Sequence, residues 1–296
     1  NVEQYKGALT ATTVELAKRF PTFRIEVYPS HRTAALPKAL LDNTLKNAAN
    51  AKSLQDGLAI ENVLPGVPFP IPQSGLEVLW NHLMRYRGVG IKRYFAGAQP
   101  QANGDYTMTK TTDIILFNQN VTDPSSRDSN ILVYLQQSVL APARKAGAVT
   151  LVHDTVNQVN TPRLAWSYTA GQRRVRRAPQ IAYDNPSNDG QTTTDNNDMF
   201  SGAPDRYDWQ LLGKKEMYVP YNSYRLASKT SKYSDIIRPG HVNPDLLRYE
   251  LHRVWHVRGV LKEGKRHVYK QRDLFFDEDT YQIVVADHYD NRNEIW

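Results

Sequence analysis

The chain is 296 residues long with a mass of 33.8 kDa, room for one large β-rich domain or two average ones, with a core that needs no staple. Lys and Arg number 37 against 30 Asp and Glu, and a net +7 spread this thinly is not the concentrated basic block of a nucleic-acid binder. Cysteine is absent, which excludes thiol catalysis, thiolate zinc sites and disulfides, and no run approaches the roughly 18 apolar residues of a membrane span.

The chain opens on Asn1, as expected of a processed or trimmed product. Thr12-Thr-Val-Glu15 has the spacing of a capping box and predicts a short helix to about Arg19, stopped by Pro21. Phe23 to Val27 alternates and predicts a short strand. Pro37 suits the first turn of a second helix, with Leu41, Leu45 and Ala48 on its apolar face. Leu64 to Pro72 carries alternating prolines, which lock an extended path. Ser74 to Glu77 is a second capping box, opening a helix that buries Leu76, Leu79, Trp80 and Leu83 and ends at Gly88.

From Val89 the period changes to two. Strands are predicted over 89–97, 105–117, 130–140, 147–159, 163–178, 207–219, 248–262, 266–276 and 280–289, most of them separated by turn signals. Helices first and antiparallel strands after predict an α+β, mainly antiparallel β fold, not βαβ repeats. Between 179 and 206 lies a long polar loop, of a length that is usually functional or disordered.

Several motifs yield to simpler readings. His252 and His256 have the spacing of a helical zinc site, but Tyr249, Leu251, Trp255 and Val257 share one parity and Glu250, His252, His256 and Arg258 the other. That is a strand, in which four residues span about 13 Å, too far for one metal; solvent-face or rim histidines are expected. Asn185, Ser187, Asp189 and Gly190 copy part of an EF-type calcium loop, yet position twelve is Asn196 and not Glu, and turn chemistry explains them. Arg173-Arg-Val-Arg-Arg177 would send Arg173 and Arg177 one way and Arg174 and Arg176 the other. Pairing with carboxylates along a sheet edge is the plain expectation; recognition of an anionic group by guanidinium forks is the functional one. No Gly-x-Ser-x-Gly elbow or phosphate-cradling loop occurs. The aromatic and aliphatic sets at period two (Trp166 and Tyr168; Leu251 and Trp255) read as core, or as the unfilled concave face of a curved sheet that encloses an apolar ligand.

Longer blocks carry a resemblance. Gly66-Val-Pro-Phe-Pro-Ile-Pro72 precedes Gly75-Leu-Glu-Val-Leu-Trp-Asn-His82. Ala165-Trp-Ser-Tyr168 precedes Gly171-Gln-Arg-Arg-Val-Arg-Arg-Ala-Pro179 and Tyr183-Asp-Asn-Pro186. Asp198-Met-Phe-Ser-Gly202, Asp205-Arg-Tyr-Asp-Trp209, Gly213-Lys-Lys-Glu-Met-Tyr218 and Pro220-Tyr-Asn222 follow, then Tyr249-Glu-Leu-His-Arg-Val-Trp255 and Lys265-Arg-His267. Together they resemble the Gram-negative envelope family called domain of unknown function 1329, over nearly the whole chain.

The resemblance implies a periplasmic protein, distantly similar to the lipoprotein carriers LolA and LolB, with an open half β-barrel whose concave face helices pack on or lid. It also implies a link to resistance–nodulation–division transporters, no catalytic residue, and a chain that continues past Trp296. The expected layout is a helical, Pro-rich segment over 1–88 packing on a sheet or half-barrel over 89–296, a single domain overall. The expected function is a periplasmic carrier of a hydrophobic or lipid-like molecule, with no cofactor, metal or nucleic acid. Trp80, Trp166, Tyr168, Leu251 and Trp255 would form its walls, and Arg174 and Arg176 would meet a headgroup at the rim. The alternatives are a non-enzymatic adaptor for an envelope transporter or outer-membrane protein, and an envelope hydrolase or isomerase.

Overall fold

A computed structural model describes residues 2–101, 104–187 and 192–296; Asp189 and Gly190 of the calcium-like loop lie outside the described residues. The chain divides into two compact units, each built from discontinuous segments. One comprises Asn1–Ala35, Pro100–Thr107 and Tyr207–Trp296, the other Leu36–Gln99 and Met108–Arg206. The longer helices come first: α1 (Ala11–Arg19), α2 (Lys38–Asn50) and α3 (Gly75–Met84). The long strands follow as β1 (Gly90–Pro100), β2 (Tyr106–Phe117), β3 (Ile131–Ala141), β4 (Val149–Thr155), β5 (Leu164–Thr169) and β6 (Arg174–Arg177). After them come β7 (Tyr207–Pro220), β8 (Tyr249–Leu261), β9 (Gln271–Asp277) and β10 (Ile283–Tyr289). The fold is α+β and mainly antiparallel β, as the change of period predicts. Among the described residues no helix is long and apolar enough to cross a membrane.

In the second unit β1 to β6 form a six-stranded meander in chain order, antiparallel from β2 to β6. It stays open, a curled half-barrel with β1 and β6 as its edges. Bulges between Lys110 and Thr111 and between Ile131 and Val133 add local bend. One face is packed: Val152, Ala165 and Ala178 form a core cluster with Leu135 and Ile181, beside Ile115 and Phe117. On the same face Asp113, 1% exposed, accepts from Arg93 Nε at 2.9 Å, Thr111 Oγ1 at 3.1 Å and Gln137 Nε2 at 3.1 Å.

The helices of this unit differ from expectation in instructive ways. In α3 the Ser74 hydroxyl accepts from the Glu77 amide and the Glu77 carboxylate from the Gln73 amide. The helix is buried on all sides from Val78 to Met84, not along one stripe, and ends four residues before Gly88. In α2 the expected face is reversed: Leu41, Leu45 and Ala48 are exposed, while Leu40 and Asn47 are buried. Its neighbour is the proline-rich segment, whose backbone groups need partners that no ladder supplies. Asn47 donates to the Leu64 and Val67 carbonyls and accepts from the Leu64 amide; Thr44 accepts from the Val67 amide and Asn43 donates to the Pro65 carbonyl. Gly66 makes the approach possible: at φ +151° its missing Cβ would lie 2.9 Å from the Leu40 carbonyl.

In the first unit β7, β8, β9 and β10 pair antiparallel in that order, and Val27–Tyr28 adds to β8 in parallel. Of the strand predicted over 23–27 only this end pairs. The sheet curls enough to bring β10 within 8 Å of β7 between Cα atoms. Met217, Val219, Val254 and Phe275 form a core on one face. On the other, the Trp209 ring lies over Gly259, where a Cβ would come within 2.7 Å of it. Helix α1 begins two residues earlier than its sequence box: Thr10 is the N-cap, and its hydroxyl accepts from the Thr13 amide. A distant acid completes the cap, since the Asp287 carboxylate accepts from the Ala11 and Thr12 amides at 2.8 and 3.1 Å.

Glu250 holds the start of β8. Its fully buried carboxylate accepts from Arg248 Nε at 2.7 Å, the His31 amide at 2.7 Å, His252 Nε2 at 2.9 Å and Asn222 Nδ2 at 3.1 Å. Burial alone would raise its pKa, but these hydrogen bonds outweigh it and hold the carboxyl at about 2. Glu250→Gln removes the shared charge and should cost about 3 kcal/mol in urea denaturation at neutral pH. The wild-type contribution is complete above the ordinary value of 4.5 and is lost as pH falls toward about 2. Acid should therefore destabilise the variant less steeply across that window, and parallel curves would refute the assignment.

Candidate functional site

Cross-strand register decides which side chains share a face, because directly paired residues point the same way. From β2 to β6 it aligns three rows on the face opposite the packed one. The central row is Ile114, Gln136, Leu151, Trp166 and Arg177. On one side run Leu116, Tyr134, His153 and Leu164; on the other Thr112, Ser138, Val149, Tyr168 and Val175. Ile114 and Leu116 are 47% and 39% exposed and Val175 66%, while Tyr134, Leu151, Trp166 and Tyr168 are half-buried.

An aromatic file crosses this face. The Tyr134 ring meets His153 edge-on at 4.7 Å, His153 meets Trp166 at 4.9 Å, and the Arg177 guanidinium lies 5.1 Å from the Trp166 ring centre. Burial lowers the pKa of His153, which favours a neutral imidazole, able to sit among apolar neighbours. Arg174 and Arg176 pair with Thr169 and Ser167 and so point to the opposite face from Trp166. For Arg174, Arg176 and Arg177 the parity read from the sequence holds, and register makes Arg177 the cation beside the aromatic file. The expected carboxylate partners are missing: among the described residues Arg173, Arg174, Arg176 and Arg177 form no ion pair.

The other expected wall residues lie elsewhere. Trp80 is 2% exposed inside α3 and donates through Nε1 to the Gly57 carbonyl at 2.8 Å, a structural position. Leu251 and Trp255 belong to β8, in a different sheet and the other unit. There Leu251 pairs with Tyr218 and is 37% exposed, and the half-buried Trp255 ring carries Lys214 Nζ at 4.3 Å. One sheet does not present all five.

Sequence reasoning missed two buried polar clusters. His252 and His256 are not rim residues: His252 binds Glu250, and His256 Nε2 lies 2.9 Å from the Asp273 carboxylate, which also takes Arg258. The Tyr221 ring stacks on His252 at 3.9 Å, and its hydroxyl donates to Asp277, whose pKa burial raises. This acid–base cluster is closed, with Glu250 at 0% and His252 at 6% exposure, and it fastens chain segments together. In the second unit Asp198 accepts from Arg85 and Arg87, and the Arg87 guanidinium sits 4.2 Å above Phe117. Burial pushes Arg87 down to about 10; burial would raise Asp198, but Arg85, His82 and Arg87 hold it below its ordinary range. Only the parity of 250, 252, 256 and 258 hinted at the first cluster. Among the described residues no group of three or more His, Asp or Glu is placed to hold a metal.

The family model described as protein of unknown function DUF1329 matches residues 1–296. The chain belongs to that family. The motif resemblance and the family model therefore agree. The uncharacterized protein PA3922 of Pseudomonas aeruginosa is 52% identical over 300 residues, covering all of this DUF1329 chain and 66% of that protein. The chain thus spans about two thirds of that relative's length. A DUF1329 family protein from Desulfovibrio piger has a TM-score of 0.44 at 14% identity over 70% of this chain and 68% of that one. A LolA superfamily protein from Nitrosomonas europaea has 0.42 at 11% over 76% and 75%. A domain from Vibrio parahaemolyticus, provisionally assigned to outer membrane lipoprotein sorting, has 0.47 at 12% over 75% and 74%.

If Trp80 in this DUF1329 chain is structural, Trp80→Ala should cost about 3–5 kcal/mol in denaturant unfolding. Trp80→Phe, which keeps most of the ring but orphans the Gly57 carbonyl, should cost about 1–3 kcal/mol. A loss near zero for the alanine variant would contradict this placement.

Proposed function

We propose that the open face of the six-stranded sheet binds the apolar chain of a lipid-like molecule, and that the protein is a periplasmic carrier serving an envelope transport system. The observation that carries this reading is the contiguous patch Ile114, Leu116, Tyr134, Leu151, Trp166 and Tyr168 on the face opposite a packed core. A sheet with one face in the core normally turns polar residues outward on the other. Here the outer rows are largely aliphatic and aromatic, the composition of a surface meant to be covered.

The energetics suit a carrier. Each buried methylene contributes about 0.8 kcal/mol, so a ten-methylene segment supplies about 8 kcal/mol before ordering costs reduce it. That supports binding that is useful yet reversible. Arg177, over Trp166 with no carboxylate partner, supplies a cation where the apolar face meets the sheet edge, suited to an anionic headgroup. Arg174 and Arg176, on the other side of β6, extend the positive edge. The family resemblance supports the periplasmic setting, and nothing in the site calls for a catalytic step.

Native mass spectrometry should find co-purifying lipid, and a fluorescent fatty acid should bind. Leu151→Asp and Trp166→Ala should each weaken that binding at least about tenfold. Leu45→Ser, on the exposed side of α2, should leave it unchanged. Arg177→Ala should reduce the preference for an anionic over a neutral amphiphile of equal chain length. No lipid in the native spectrum and no uptake of the probe would overturn the reading.

A further inference from the structure

A cleft of about 670 Å³ opens in the unit formed by Leu36–Gln99 and Met108–Arg206, within the ~300–1,000 Å³ range of small-molecule sites. None of the aromatic file lines it. Ile60, Leu64, Met84 and Ile131 give it apolar walls, and Gln119 and Arg127 lie among its polar residues. Of the four asparagines at the cleft, Asn50 and Asn62 are exposed, and the buried Asn47 and Asn118 are engaged. Asn47 is spent on the proline-rich backbone, and Asn118 donates to the Asp128 and Ile131 carbonyls while accepting from the Asp128 amide.

Gln119 is different. It is 3% exposed, and among the described residues neither its amide oxygen nor its amide nitrogen has a hydrogen-bond partner. Because both atoms are unmet, exchanging their positions changes nothing. Buried polar groups in native proteins are nearly always paired, so an amide left with both atoms unpaired at a cleft wall is an unused recognition element. Turning it into the cleft breaks no hydrogen bond. The half-exposed Arg127 side chain likewise forms no ion pair or hydrogen bond among the described residues, although Asp128, also at the cleft, is next in sequence. The Asp128 carboxylate is instead turned to the Asn130 amide. Lys52 and Glu61, both exposed, balance one another in charge at the rim.

A ligand that meets all of these needs an anionic group for the Arg127 fork, a donor and an acceptor for Gln119, and an apolar body for the walls. We propose that the cleft binds a small carboxylate with an apolar body and a hydrogen-bond donor next to the carboxyl group. An N-acyl amino acid is the simplest such molecule: its carboxylate meets Arg127, its amide N–H meets the Gln119 oxygen, and its acyl chain lies against Ile60, Leu64 and Met84. This site does not depend on the aromatic face and stands whether or not that face binds lipid.

Isothermal titration of the whole protein with N-octanoylglycine, octanoate and octylamine tests the assignment. N-octanoylglycine should bind more tightly than octanoate, and octylamine least. Arg127→Met, at a half-exposed position that tolerates the change, should weaken N-octanoylglycine at least about tenfold. Gln119→Leu should remove the advantage of N-octanoylglycine over octanoate, and should raise Tm because it deletes two buried unmet polar atoms. If that variant fails to fold, the comparison of the two acids on wild type still decides the role of the donor. The Arg127→Met loss should persist in a Trp166→Ala background, in which binding by the aromatic face is removed. No binding of N-octanoylglycine, equal binding of octylamine, or no effect of Arg127→Met in that background would each overturn the proposal.

Discussion

The alternation of a strand and the register between strands are the constraint on which the open face rests. A slip of one residue between β3 and β4 would send Leu151 and Trp166 into the packed face and Val152 and Ala165 out of it. Two features hold the register. The buried Asp113 carboxylate gathers donors from three strands, Arg93 on β1, Thr111 on β2 and Gln137 on β3. The bulges lie outside the rows: Leu140 is the extra residue at one and Leu132 at the other, while the aligned stretch of β3 runs from Tyr134 to Ser138. Bend is thereby introduced at the ends of the strands without breaking the surface between them.

Much of the rest is held by carboxylates that reach backbone amides or arginines. Asp287 caps α1, Glu250 seizes the His31 amide, and Asp198 gathers Arg85 and Arg87. Each acid lies far in sequence from its partner, so each closes a long loop, for which the entropic cost rises only slowly with length. The same solution appears without charge in α2, where Asn43, Thr44 and Asn47 satisfy a backbone that proline keeps out of any ladder. The proline-rich segment therefore lies against α2 with its Leu64 and Val67 amides and its Leu64, Pro65 and Val67 carbonyls met.

This explains what could be read from the sequence. Strand positions were legible because period-two patterning and turn residues are local signals, and β2, β3, β7 and β8 fall close to their expected limits. Parity within a strand was legible too, as with Arg174 and Arg176 set against Arg177. Partnership was not. Nothing local in Trp166 or Trp255 says that they enter different sheets, and only the β5–β6 register reveals which arginine shares a face with Trp166. Hydropathy misplaced α2 because its packed face is polar, and misread His252 because a histidine bonded to a buried carboxylate looks, in sequence, like one facing water.

The edge strand β6 joins these themes. An exposed edge invites pairing with another chain, and charge there is a common deterrent. Lysine would serve that purpose as well, being the residue most often used to blunt an edge. This edge uses arginine at all four charged positions from 173 to 177 and no lysine. The difference has consequences only if the planar group is put to use. Arg177 lies over the Trp166 ring, a contact for which a guanidinium is better suited than an ammonium. Deterrence accounts for the charge at this edge, and the contact with the Trp166 ring suits a guanidinium at 177.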